Sequence, residues 1–422
     1  MTPGAAGHAG VNGHREGGSI MAHSSRLLSR RQLLAGSSAL GLGLALRPRV
    51  GWGQKQSVKL AFIGPLTGGT ASNGLGGRNS FLLALQERNA DPKGKYQYES
   101  EILDDECKPT VAVQAALKAS SDPAIVAGVT HYCSVTAIAT VDTYHKAGMP
   151  AMVWGAVLPE ITYSHDYVEI TRVNGTMINQ NNVAADFAVK TLGFKTFALI
   201  HDTTDYGRAH AKWFTQFVEK AGGKVVSTQG TAKDQKDYTA ELTRAKSDRP
   251  EVLWYGGLTP DGVRVRVQMD KVGVRAQFQG TSGIKSDTFN ETAGGAAEGS
   301  LAFVEGAPTE KLPGGQKFLA AYAKANFKEP SEAYGPFAYV AANLIIDAVE
   351  AVGPDRAKLA PRLKRTKKSD TIIGPVEFDD HGQNTVSLIS KYMSQDGKWL
   401  LWEDSEYAAG KRTLPGLKYK KM

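Results

Sequence analysis

The chain's 422 residues carry 50 Lys and Arg against 42 Asp and Glu, a formal net charge of +8, yet residues 1–54 alone hold six arginines and one glutamate. The +3 left on the other 368 residues is too small and too evenly spread for a nucleic-acid footprint. A stretch of that length also exceeds the roughly 250 to 300 residues at which a single core stops growing, so two domains are expected.

The first element is a leader. "SRRQLLAG" (Ser29–Gly36) sets paired arginines before a weakly apolar run from Leu33 to Leu46, with Arg47 and Arg49 behind it, the pattern of a twin-arginine export signal over residues 1–54. Its 14 apolar-run residues fall short of the roughly 20 that a membrane-spanning helix needs. Cleavage is expected between Leu46 and Ser57, and Met21 is a candidate start. No later stretch approaches 18 continuous apolar residues, so a soluble protein outside the cytoplasmic membrane is expected. Its two cysteines, Cys107 and Cys133, read most simply as one disulfide. A metal site is the rival, but neither C-x-x-C nor H-E-x-x-H occurs, and no metal or other cofactor is expected.

From Val58 short apolar runs alternate with longer amphipathic ones. "VKLAFIG" reads as a strand, followed by a Gly/Thr/Ser-rich loop and the helical pattern "GRNSFLLALQERNA". "YESEILDDE" is a second strand, "PTVAVQAALKASSD" a helix opened by Pro109, and "AIVAGV" a third strand. "SVTAIATVDTYHKAG" is a helix ended by Gly148, and "PAMVWGA" a fourth strand. The rhythm restarts after "TRVNGTMINQNN". "TFALIHD", "KVVSTQG", "EVLWYGG" and "AQFQGTS" read as strands between the helices "NVAADFAVKTLG", "GRAHAKWFTQFVEKAGG", "YTAELTRAKS" and "GVRVRVQMDKVGV". A long apolar-faced helix (331–353), a basic run "RLKRTKK" read as a solvated face or loop, and a strand-like "TVSLISKYMSQDGKWLLWE" close the chain. The fold class is α/β, with two doubly wound parallel units and a ligand cleft between them at the strand carboxyl ends.

In this order "VKLAFIGPLTGG", "LDDECKPTVAVQAA", "HYCS", "GAVLPEIT", "IHDTTDYGRA", "WYGG", "AEGSL" and "IIGPVEFDDHGQ" resemble the periplasmic leucine/isoleucine/valine-binding proteins, from about residue 57 to 405. The resemblance implies a type I periplasmic binding fold. Residues 57–175 with 305–384 would form the first lobe, and 176–304 with 385–418 the second, hinged by three crossover strands. It implies a non-catalytic, monomeric solute-binding protein that delivers a small ligand to the membrane permease of an ABC importer, and a disulfide between Cys107 and Cys133.

Ser134 reads as a helix start, where free amides and a hydroxyl favour an anion. In the resemblance it holds the ligand's carboxylate together with Gly155, through backbone alone, and Val157, which replaces a threonine. Tyr206 matches a ring that closes over the ligand, and Leu258 and Thr259 stand at ligand-side positions. Ser282 replaces a glutamate that pairs with the ligand's ammonium, and Asn73 replaces a large apolar contact. Asp202, Asp205, Asp261 or Asp287 would have to take over the ammonium, or the ligand is an aromatic or aliphatic acid or an amide. A sensor of the same fold is the other non-enzymatic reading. His201 beside Asp202 has no G-x-S-x-G elbow for a hydrolase, and "GLGGRNS" (74–80) matches no nucleotide-phosphate pattern and reads as a cleft loop.

Overall fold

The computed structural model describes residues 55–386 and 388–420; the leader expected over residues 1–54 lies outside them. In the first half, β1 (Gln56–Gly64), α1 (Ala71–Ala90), β2 (Tyr96–Asp104), α2 (Pro109–Ser121), β3 (Ile125–Thr130), α3 (Ser134–Lys146), β4 (Ala151–Val153), the short α4 (Glu160–Tyr163) and β5 (Ile170–Arg172) follow one another. Their strands form a wholly parallel sheet in the order β2-β1-β3-β4-β5. Because both faces are covered there, β1 is continuously apolar from Leu60 to Ile63: Leu60 and Phe62 pack on one side, Ala61 and Ile63 on the other.

The second half runs α5 (Met177–Asp186), β6 (Thr196–Asp202), α6 (Asp205–Lys220), β7 (Lys224–Thr231), α7 (Thr239–Asp248), β8 (Val252–Gly256), α8 (Thr259–Val272), β9 (Gln277–Gly280), α9 (Asp287–Ala293) and β10 (Leu301–Glu305). The chain then returns to the first sheet with α10 (Pro313–Lys324), α11 (Gly335–Val352), α12 (Arg356–Lys364) and a small hairpin, β11 (Lys367–Thr371) and β12 (Gly374–Glu377). It comes back to the second sheet through β13 (Ile389–Gln395) and β14 (Lys398–Leu401), and ends in α13 (Pro415–Lys420). The second sheet has the order β14-β13-β10-β9-β8-β6-β7.

The β13–β14 edge of that sheet is antiparallel, an addition to the expected parallel pattern. Asp396 and Gly397 both have positive φ in its two-residue turn, the conformation whose twist suits a tight hairpin. The chain passes between the two sheets three times, after β5, after β10 and after β12. Among the described residues only α11 is long and apolar enough to cross a membrane, and it is largely buried in the first lobe's core against α1.

Two local readings are corrected. "GLGG" is not a loop: α1 begins at Ala71 and runs through it. A Cβ on Gly77 would lie 2.5 Å from the Trp154 ring, and one on Gly74 would collide with the Pro65 carbonyl, so the glycines serve close packing of this turn under the sheet end. "NVAADFAVKTLG" is not one regular helix either, since α5 gives way to a π-helical turn, Phe187–Thr191.

Candidate functional site

The carboxyl ends of β3 and β4 in one lobe and of β6 and β8 in the other border one cavity, the position where open α/β sheets hold ligands. It encloses about 430 Å³ of empty space, part of it continuous with solvent. Cys107, Tyr132, Cys133, Ser134, Val135, Gly155 and Tyr334 line one wall, and Asp202, Thr204, Tyr206, Lys233, Leu258, Ser282 and Gly283 the other.

The first-lobe wall is fixed by covalent and polar ties. A disulfide joins Cys107 to Cys133. Just before it His131, buried, bridges Asp105 Oδ2 and the Tyr144 hydroxyl, each at 2.8 Å, and holds the end of β3 against the Cys107 loop. Cys133 is the residue before α3, so Ser134 occupies the first helical position, where backbone N–H groups lack partners within the helix. Ser134 Oγ accepts hydrogen bonds from the amides of Val157 (3.2 Å) and Leu158 (3.3 Å). Both acceptor sites of the hydroxyl are therefore filled, and what it retains for the cavity is its proton. Ser134 is a donor, suited to an anion or a carbonyl.

Gly155 borders the cavity, but its amide donates to the His131 carbonyl at 3.3 Å. Its carbonyl accepts no bond among the described residues, so Gly155 offers an acceptor rather than the donor that a carboxylate needs. Val157 does not line the cavity: its amide serves Ser134 and its side chain lies in the apolar layer with Ala156 and Ile161. Asn73 is likewise outside the lining, buried in the first turn of α1 with its Oδ1 unpartnered. Arg172, fully buried, donates to the carbonyls of Ala156 (3.3 Å) and Leu158 (2.6 Å) and so braces the loop from Gly155 to Leu158 from behind. Burial pushes its guanidinium down to about 10.

On the second-lobe wall Tyr206 stands in the first turn of α6, with its hydroxyl donating to Thr281 Oγ1 at 2.9 Å, so the ring faces the site as an apolar surface with its polar tip satisfied. Leu258 and Ser282 line the cavity, whereas Thr259 is tied away by its hydroxyl to the Gly283 carbonyl at 2.8 Å. Asp202, the last residue of β6, accepts from the Thr204 amide (2.9 Å) and hydroxyl on Oδ1, and burial pushes its carboxyl above the ordinary carboxylate range. Gly207 makes that approach possible, because a Cβ there would lie 2.5 Å from Asp202 Oδ1. His201 is a structural neighbour, with Nδ1 on the Asp202 carbonyl at 2.7 Å.

Sequence reasoning missed six wall residues: Val135, Thr204 and Gly283, each beside one it named or in the same turn, and three that come from less obvious places. Tyr132 lies next to the cysteine in "HYCS", and the one-residue step along the strand end was the signal for it. Tyr334 caps α11 and reaches the cavity from a helix remote in sequence, its hydroxyl held by Glu305 Oε2. Lys233 comes from the loop after β7, which carries no local pattern.

The lobes touch across the mouth. Lys233 Nζ donates to the Cys107 carbonyl at 3.3 Å. Glu332, in the loop before α11, accepts from the Ser286 hydroxyl and the Asp287 amide of the opposite lobe, both at 3.1 Å, while Ser72 of its own lobe donates to the same carboxylate. Both lobes thus wall one cavity and touch across its mouth. A family model described as periplasmic binding protein matches residues 57–393. The chain belongs to the periplasmic binding protein family. It is 32% identical over 328 residues to the leucine-, isoleucine-, valine-, threonine- and alanine-binding protein of Pseudomonas aeruginosa, covering 77% of this chain and 87% of that one. A leucine binding protein from Thermotoga maritima shares the fold with a TM-score of 0.76 at 24% identity, over 82% of this chain and 97% of the other. A solute binding protein of an ABC transporter from R. palustris, in complex with benzoate, gives a TM-score of 0.74 at 18% identity, over 82% and 95%. The α/β fold with two lobes and a ligand cleft is thus that of a type I periplasmic binding protein, as the sequence resemblance implies.

Proposed function

We propose that this periplasmic binding protein captures a small carboxylate-bearing ligand in the periplasm and delivers it to the permease of an ABC importer, as a monomer, without catalysis and without a cofactor. The observation that carries the reading is Ser134: a hydroxyl with both acceptor sites filled, at the start of α3, directs a donor into a cavity that both lobes wall. The names of relatives that bind branched-chain amino acids support an amino acid as the ligand, and the benzoate-bound neighbour keeps aromatic acids in the same chemical class. In this reading residues 57–175 with 305–384 form one lobe and 176–304 with 385–418 the other. Ligand bridging the two walls would stabilise the closed form that a permease recognises. The paired arginines Arg30 and Arg31 support export through the twin-arginine route, and their replacement by lysine would leave precursor in the cytoplasm.

The test is a thermal-shift screen of the mature chain against α-amino acids, aliphatic and aromatic carboxylates, and the corresponding amides. A ligand at 100 times its Kd adds about 2.7 kcal/mol. The expected hit is a free carboxylate whose amide gives no shift. If amides shift the midpoint and no carboxylate does, the anion-capture reading is wrong.

A further inference from the structure

Ser282, where the resemblance has an acid, brings no carboxyl group to the cavity, yet one is present nearby. Asp202 is 3% exposed, and its hydrogen bonds, both from Thr204, fall on Oδ1. Oδ2 accepts none among the described residues, and no lysine, arginine or histidine there forms an ion pair with the carboxylate. Oδ2 therefore stays open on a side chain that is otherwise buried, and a cation is the partner that a partly desolvated carboxylate favours most. The other nearby acids are committed elsewhere. Asp205 pairs with Arg208 at the surface, Asp261 holds Arg264 and the Asp234 amide in the outer mouth, and Asp287 is exposed. Only Asp202 of these four shares the cavity with Ser134. The free Gly155 carbonyl adds a second acceptor, and the Tyr206 and Tyr334 rings add faces that favour a cation.

We infer that Asp202 is the specificity-determining residue that selects a ligand carrying a protonated nitrogen as well as a carboxylate, replacing from the end of β6 the charge absent at Ser282. This rests on the carboxylate-capture reading, with the anionic end on Ser134 and the cationic end on Asp202 and Gly155. Wild type and Asp202→Asn are titrated with leucine against 4-methylpentanoate and with phenylalanine against 3-phenylpropanoate, pairs that differ only in the ammonium. In wild type the amino acid of a pair should bind at least 100-fold more tightly than its deaminated partner. Asp202→Asn, whose amide oxygen still accepts from Thr204, should lose most of that ratio while the ligand-free midpoint stays in place. Equal or tighter binding of the deaminated acids to wild type, or an unchanged ratio in Asp202→Asn, overturns the inference and leaves carboxylate capture standing. No binding by any of the four acids overturns the inference, and carboxylate capture is then decided by the wider screen of acids against amides. Should the variant fail to fold, Asp202→Ser, whose hydroxyl can still accept from Thr204, takes its place in the same titrations.

Discussion

Ser134 Oγ lies 3.2 Å from the Val157 amide and accepts its hydrogen bond, so one hydroxyl ties the first turn of α3 to the loop after β4. Ser134→Ala removes a donor from the cavity and orphans two amides together. A hydrogen bond to a charged group is worth about 1.5 to 3 kcal/mol, so affinity for the ligand should fall roughly tenfold to a hundredfold. The ligand-free protein should lose about 1 to 3 kcal/mol as well, because two bonds are lost. Calorimetric titration and denaturant unfolding separate the two effects, and unchanged affinity would show that Ser134 only caps the loop.

Much of this site was legible in the sequence because its pieces are local. Ser134 and Tyr206 stand at strand-to-helix junctions, where periodicity changes from apolar runs to amphipathic helix and where open α/β sheets carry their sites. What was not legible depends on packing between distant segments. "GLGG" reads as a loop by composition but is helical because Pro65 and Trp154 press on it. Val157 and Asn73 match ligand-side positions in the resemblance, yet they turn into the fold, and the direction of the Gly155 amide is set by His131, 24 residues earlier. Tyr334 reaches the cavity through the long return of the chain, which no local pattern encodes.

The disulfide spans a sequence separation of 26 residues and carries the Cys107 carbonyl that receives Lys233 from the other lobe. Constraining a loop of that size stabilises by about 3 kcal/mol in the chain-entropy model. Reduction, or replacement of both cysteines by serine, should therefore lower the unfolding free energy by about 3 kcal/mol and weaken ligand binding. Denaturant curves with and without reductant measure this, and coincident curves for protein verified by mass as oxidised and reduced would refute it.

Glu305, at the end of β10 where the chain leaves the second sheet, is buried with one oxygen on Gln180 Nε2 and the other on the Tyr334 hydroxyl. Desolvation pushes its carboxyl up from 4.5 to about 7, with Tyr334, Gln180 and the Arg172 charge opposing the rise. The folded protein therefore binds a proton here that the unfolded chain releases between about pH 4.5 and 7. This contribution to stability is complete at the acid end and is lost as pH rises through 7. From pH 5 to 8 wild type should lose about 2 to 3 kcal/mol relative to Glu305→Gln, which does not titrate, whose oxygen can still accept from Gln180 and whose NH2 would donate to a reoriented Tyr334 hydroxyl. Parallel pH slopes for the two proteins in denaturant unfolding would contradict the assignment.

Glu332 takes hydrogen bonds from Ser72 in its own lobe and from Ser286 and Asp287 in the other, so its two cross-lobe bonds exist only while the lobes are closed. Its backbone has φ of 55°, a left-handed conformation that costs a non-glycine residue about 1 kcal/mol or more and that aims the carboxylate across the gap. Closure is part of the binding equilibrium, so a contact made only in the closed form adds to apparent affinity without touching the ligand. Glu332→Ala should raise Kd roughly tenfold, mainly through faster release, because each of the two lost bonds contributes about 0.5 to 1.5 kcal/mol. Small-angle scattering should show an expanded ligand-free ensemble that still contracts at saturating ligand. A variant with wild-type release rate and wild-type dimensions would mean that Ser286 and Asp287 hold Glu332 in place without holding the lobes together.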